Sequence, residues 1–240
     1  MERTISNLSA WCIVVGAGSG SRMGAQRPKQ FLRLGRRSVL SHTLAVVCGV
    51  ELIQGVVAVV PRNRLADVRR MVRRDPALSK VAYIVAGGAE RADSVLAGLD
   101  ALDGQCDVVA IHDAARPLVL PSQFAKTIRV AARFGAAVLA VPVCDTIKQA
   151  TDEGVVLQTP DRRRLWAAQT PQAFERNLLL DAYRAAHDDG FSATDDAALV
   201  ERINGRVVLV PGSPENFKIT TLHDLQHARL VLAQRRGAAR

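Results

Sequence analysis

The sequence predicts an α/β fold: a mostly parallel, Rossmann-like sheet with helices on both faces and a protruding β-arm. Short β-branched runs recur between amphipathic stretches, and most of these runs are apolar at nearly every position. That pattern fits strands buried on both sides, in the rhythm of βαβ units. One long excursion, 145–169, breaks the alternation.

In chain order, the strands are expected at 12–15, 56–60, 81–85, 108–111, 137–141 and 207–210. Helices are expected at 39–50, 64–73, 92–102, 122–134, 172–187, 194–203 and 222–234. Ser122 stands where an N-cap belongs, and Thr194-Asp195-Asp196 sets a cap and acidic side chains where the helix dipole favours them. The excursion holds two β-like pieces around Thr151-Asp152-Glu153-Gly154, then the basic run Arg162-Arg163-Arg164. It reads as a hairpin arm leaving the sheet, and such an excursion in a compact domain is usually functional or an interaction element. Residues 1–240 are therefore expected to form one domain, with 145–169 as its arm.

A chain of 240 residues, 48% hydrophobic, can bury one substantial core. Cys12, Cys48, Cys106 and Cys144 show no CxxC pair and read as reduced core thiols, and the histidines lack zinc spacing. The first ten residues hold no apolar signal region, and no later run approaches a bilayer span. A soluble cytoplasmic protein with no membrane partner is expected. The formal charge of +9 would suit nucleic acid, an anionic surface or a multiply charged small substrate. Aromatic residues are only 4% and do not alternate with the basic runs, which argues against a single-strand stacking platform and so against nucleic acid. Arg69, Arg70, Arg73 and Arg74 read as a solvated helix face.

The first strand opens into Gly16-Ala17-Gly18-Ser19-Gly20-Ser21-Arg22-Met23-Gly24, followed by Pro28-Lys29-Gln30. Glycines let backbone N–H groups approach a phosphate, and loops after strands are where α/β sheets bind ligands. A Walker A loop is excluded by the missing Gly-Lys-Ser/Thr ending, and the dinucleotide fingerprint by its spacing. Arg22 and Lys29 are cations where displacement of pyrophosphate would build negative charge. Gly87-Gly88-Ala89 forms a second strand-to-helix loop whose backbone can meet a flat base, with the Ser94 hydroxyl nearby. Asp113 ends a strand, with Arg116 three residues on, which suits a carboxylate near a metal or substrate hydroxyls, or a simple local turn. No serine, cysteine or histidine is presented with a base and an orienter, so no covalent intermediate is indicated.

Seven segments in order make the chain resemble the 2-C-methyl-D-erythritol 4-phosphate cytidylyltransferase family of the non-mevalonate isoprenoid pathway. They are the 17–23 loop, Pro28-Lys29-Gln30, the 87–95 loop, His112-Asp113-Ala114-Ala115-Arg116-Pro117, Asp145-Thr146-Ile147-Lys148, Gln169-Thr170-Pro171-Gln172 and Phe217-Lys218-Ile219-Thr220. The resemblance implies a nucleotidyltransferase sheet and transfer of CMP from CTP to a polyol phosphate. Arg22 and Lys29 would stabilise the transition state at the α-phosphate, and Arg162 and Lys218 would position the attacking phosphate. Gly16, Ala17, Gly18, Ser19, Gly20, Gly87, Gly88, Ala89 and Ser94 would hold the nucleotide. Asp113, Arg116, Thr146 and Thr170 would hold the polyol phosphate. It also implies Mg²⁺ or another divalent cation, carried mainly by the CTP phosphates with Asp113 as a ligand, and a homodimer that exchanges its arms. An enzyme for another polyol phosphate, such as ribitol phosphate, shares most of these motifs, and a basic nucleic-acid-binding protein is the remote alternative. Two departures stand out: Val15-Gly16 replaces the usual Pro-Ala and is expected to loosen the loop, and Ala89 replaces an Asp that many members show.

Overall fold

In the computed structural model, which describes residues 8–18, 28–102 and 106–237, strand residues divide by parity between two cores. The elements are β1 (Ala10–Val15), β2 (Arg33–Leu34), β3 (Arg37–Ser38), α1 (Val39–Cys48), β4 (Ile53–Val60), α2 (Leu65–Arg74), β5 (Val81–Ala86) and α3 (Arg91–Asp100). There follow β6 (Val108–Asp113), α4 (Pro121–Phe134), β7 (Ala136–Pro142), β8 (Gln149–Ala150), β9 (Val156–Gln158), β10 (Trp166–Glu175), α5 (Arg176–Asp188), α6 (Asp196–Arg202), β11 (Val207–Pro211) and α7 (Leu222–Gly237).

On β1, Cys12 and Val14 enter one core with Leu40 and Leu44 of α1, Val68 of α2 and Phe124 of α4. Ile13 between them enters the other, with Val95 of α3, Leu179 of α5 and Val200 of α6. The same alternation runs through Val56 to Val60 on β4 and Val108 to Ile111 on β6. Two-sided burial is why these strands are apolar at every position, and it places helices on both faces of the sheet. A smaller cluster of Leu34, Val39, Leu118, Ile219 and Leu225 seats α7.

Among the described residues, seven strands form one sheet in the order β11-β7-β10-β6-β1-β4-β5. All neighbours are parallel except β10, which is antiparallel to both β6 and β7. The chain leaves β1 for β4 and β5 on one side, then returns to β6 on the other. That reversal opens a crevice at the carboxyl ends of β1 and β6, where sheets of this kind bind ligands.

Several expectations need correction. Residues 172–175 are strand, not helix: Phe174 and Ala173 are fully buried on opposite faces of the sheet, a strand's alternation that merges in the sequence with the period of α5. Residues 166–169 likewise belong to β10, so the hairpin of β8 and β9 ends before Trp166. Leu120, not Ser122, occupies the N-cap of α4, because Pro121 fits the first helical position, where no N–H is needed. Asp195 does cap α6, accepting from the Ala198 N–H at 3.0 Å. Cys12 and Cys48 are core thiols, but Cys106 is half-buried and Cys144 exposed. The β2–β3 hairpin, only two residues per strand, was too short to register as a periodic pattern.

Candidate active site

A cleft of about 520 Å³ lies at the reversal point. Gly16, Ala17 and Gly18 line one wall as the continuation of β1, beside Lys29 and Gln30. Gly88, Ala89, Arg91 and Ser94, after β5, form a second wall, and Asp113 at the end of β6 and Lys218 beyond β11 form the third. Among the described residues, four strand ends of the sheet thus deliver the predicted loops to one place.

The glycine wall is held from behind. The Gln30 amide, 3% exposed, donates from Nε2 to the Gly16 carbonyl at 2.6 Å and the Gly18 carbonyl at 3.0 Å. Those two bonds set the one-turn helix Lys29–Phe31 against the loop and fix where Lys29 starts. The Gly16 N–H donates to the Val59 carbonyl at 2.8 Å, and a Cβ at Gly16 would come within 2.9 Å of the Ala114 Cβ. Gly16 therefore packs closely rather than loosening the loop. Gly87 sits behind the second wall, where any Cβ would run into Ala17 and Ser94. Ser94 is buried and its hydroxyl donates to the Glu90 carbonyl at 3.1 Å while lining the cleft. Ala89 offers only its backbone to a base. Ser19, Gly20 and Arg22 lie outside the described residues.

The third wall is an ionic cluster. Asp113, 8% exposed, accepts from the Lys218 ammonium at 2.8 Å, with Arg116 Nε at 3.7 Å and Arg91 Nε at 4.0 Å. Burial alone would raise the carboxyl pKa, but Lys218, Arg91 and Arg116 together hold it down to about 2, so Asp113 is charged at any ordinary pH. Lys218 is fixed because the next residue, Ile219, donates its N–H to the Ala115 carbonyl at 2.8 Å. Arg116 is turned away from the cleft and donates to the Asn216 carbonyl at 2.7 Å.

Thr170 is buried behind Asp113. Its hydroxyl oxygen accepts the Asp113 N–H at 3.0 Å and its O–H donates to His112 Nδ1 at 3.0 Å, leaving His112 Nε2–H to donate to the Arg116 carbonyl at 3.1 Å. Burial pushes the His112 pKa down to about 4, so the ring is neutral and holds the turn rather than carrying charge. Thr146 and Arg162 are exposed on the arm, with Arg162 donating to the Cys144 carbonyl at 2.8 Å, and neither lines this cleft.

Sequence reasoning assigned no role to Gln30 or Arg91. Arg91 donates to the fully buried Asp196 carboxylate at 2.6 Å, which also accepts the Tyr183 O–H at 2.7 Å, and with its Nε 4.0 Å from Asp113 it links the second wall to the third. Its partner lies far along the chain, so only the quoted motif marked the position. Among the described residues no group of three metal-ligating side chains occurs. Glu90 and Asp113 are, among the described residues, the carboxylates lining the cleft, and Asp113 is already paired with Lys218, so its expected role as a metal ligand gains no support from geometry.

A glycine loop at a topological reversal, a second strand-to-helix loop facing it and cations converging between them have the form of a nucleotide-binding α/β transferase. The comparisons narrow the class. The sequence model of the family described as IspD, 2-C-methyl-D-erythritol 4-phosphate cytidylyltransferase, matches residues 10–234. The enzyme of that name from Desulforamulus reducens is 44% identical over 223 residues, spanning 93% of this chain and 95% of its own. The crystal structure of 4-diphosphocytidyl-2C-methyl-D-erythritol synthase from Anaerococcus prevotii superposes with a TM-score of 0.84 at 30% identity, covering 95% of this chain and 98% of that one. The Thermus thermophilus 2-C-methyl-D-erythritol 4-phosphate cytidylyltransferase superposes at 0.75 with 32% identity, covering 93% and 98%. This chain belongs to the 2-C-methyl-D-erythritol 4-phosphate cytidylyltransferase family.

Proposed function

We propose that the protein transfers CMP from CTP to 2-C-methyl-D-erythritol 4-phosphate, giving 4-diphosphocytidyl-2-C-methyl-D-erythritol and pyrophosphate, in cytoplasmic synthesis of isoprenoid precursors. The observation that carries this reading is the one cleft in which the glycine loop, Lys29, the Gly88-Ala89 loop and the Asp113–Lys218 pair converge. Among the described residues no helix is long and apolar enough to cross a membrane.

The backbone of the 16–18 loop receives the triphosphate and that of 88–89 the base. Lys218 turns from Asp113 to the phosphate of the polyol and aims one oxygen at the α-phosphorus. Asp113, kept ionised by Arg91 and Arg116, accepts the polyol hydroxyls. The new O–P bond forms as the bond to the β-phosphate bridging oxygen breaks, and pyrophosphate leaves with that electron pair. Lys29 and Arg22 meet the charge that develops, which needs positioning and neutralisation rather than a covalent intermediate. A divalent cation on the triphosphate would supply further charge neutralisation there.

The arm completes the site in a homodimer. Ile147, Val155, Val156 and Leu157 are exposed on it, an apolar surface that a short hairpin needs to cover. A symmetric partner offers that cover twice and would receive Arg162 and Thr146 at its own cleft.

The test is pyrophosphate release with each nucleoside triphosphate against methylerythritol phosphate and ribitol phosphate. Release with CTP and methylerythritol phosphate is expected. Preference for ribitol phosphate would redirect the assignment, and silence with every pair would refute it.

A further inference from the structure

Between the β2–β3 hairpin, the start of α1 and the length of α2 lies a second cleft, of about 580 Å³, which shares no lining residue with the first. Arg33, Arg36, Arg37, Arg64 and Arg74 line it, against the carboxylates of Asp67 and Asp75. Arg37 and Asp75 pair at 2.9 Å, tying the hairpin to the end of α2. Arg64 Nε is buried and makes no hydrogen bond, although the Asp67 carboxylate is 3.4 Å away. Arg33 and Arg36 are exposed, and among the described residues the Arg33 guanidinium donates to the Arg36 carbonyl, which neutralises neither charge.

Guanidinium groups crowded around one concavity repel each other, and a multiply charged anion relieves that repulsion. Their paired N–H donors match phosphate oxygens. The dipole of α2 explains a cation at its carboxyl end, such as Arg74, but not Arg33 and Arg36 on the hairpin. Phe31, Val68 and Met71 also line the cleft and give it an apolar side.

We propose that this cleft is a second anion site, taking a diphosphate carried on an apolar body, and that its occupancy lowers turnover through Phe31. The Arg64 guanidinium lies 4.5 Å over the Phe31 ring, and Phe31 closes the single turn that begins at Lys29. A phosphate that pulls the Arg64 guanidinium across the cleft towards Arg33 and Arg36 takes this cation off the ring and loosens the turn beneath Lys29. The effect on turnover rests on the transfer reaction proposed above; binding does not.

Calorimetric titration with geranyl diphosphate tests the site. Binding to the wild type is expected, with no binding of geraniol, the same chain without charge. Arg36→Ala combined with Arg74→Ala should weaken binding about tenfold or more while leaving basal CMP transfer unchanged, since bidentate phosphate contacts are lost. Lys29→Ala should bind as the wild type does. Both replaced side chains are exposed, and Arg36→Ala alone serves if the pair perturbs the fold. No binding, equal binding of geraniol, or binding lost in Lys29→Ala but kept in the double variant would each overturn the site. In the transfer assay, geranyl diphosphate should lower kcat severalfold in the wild type and not in the double variant. Binding without that fall keeps the site and removes the coupling through Phe31. Binding to a protein that transfers no CMP keeps the site and refutes the proposed reaction instead.

Discussion

The Lys218 ammonium and the Asp113 carboxylate, brought together from opposite halves of the chain, form an ion pair at 2.8 Å on the wall of the cleft. A carboxyl pKa of about 2 in the folded protein lies below the ordinary 3.8. The stabilisation is therefore complete above the unfolded pKa and is lost as pH falls through about 4 towards 2. The depression corresponds to about 2 kcal/mol. Asp113→Asn should be less stable than the wild type at neutral pH, with the two denaturation midpoints converging as the medium is acidified. A gap that keeps its size into strong acid would show that Asp113 does not titrate as this cluster requires.

Lys29→Ala and Arg22→Ala should each lower kcat roughly a hundredfold or more while changing KM much less, because each charge matters most where the transition state is more anionic than the ground state. Steady-state kinetics on folded variants decides this. A near-normal kcat removes the residue from the catalytic set.

Gly87→Ala should weaken CTP binding about tenfold or more, because a methyl group there cannot coexist with Ala17 and Ser94 and must push the two nucleotide loops apart. Titration with CTP measures it. Unchanged affinity would mean that the separation of the loops is not what sets the fit.

Chelation with EDTA should abolish activity and Mg²⁺ restore it, because the triphosphate needs more neutralisation than Lys29 and Arg22 provide. Full activity in demetallated protein would contradict the proposed role of the cation.

Arg162→Ala subunits mixed with Lys29→Ala subunits, each nearly inactive alone, should recover substantial activity on exchange. The mixed dimer has one cleft with both cations intact, since Arg162 does not line its own. Mixed dimers as inactive as their parents would place Arg162 in cis, and a monomer in solution would remove the dimer.

Much of the sheet could be read from the sequence because two-sided burial leaves an apolar mark at every strand position, as in Val56 to Val60. The start of α5 could not, since Phe174 lies four residues before Leu178 and so carries the helical spacing of α5 back into the strand. Loops with unusual composition, 16–18 and 87–89, were visible because glycine is needed where backbones approach closely. Gln30, Asn216 and Asp196 were not, because their partners are carbonyls and charges that only folding brings near. Ala89, whose side chain carries no hydrogen-bonding group, presents the cleft with backbone groups whose directions no side-chain pattern records.

The reversed direction of β10 has a further meaning. Trp166, where the hairpin segment re-enters the sheet, is paired with Pro142, where it departs, and both lie at the edge where β6 ends in Asp113. The hairpin is rooted twice in the rim that holds the ionic cluster. From the hairpin, β10 continues to Thr170, whose hydroxyl oxygen receives the Asp113 N–H. The base of the hairpin and the backbone of Asp113 are thus held by one and the same strand.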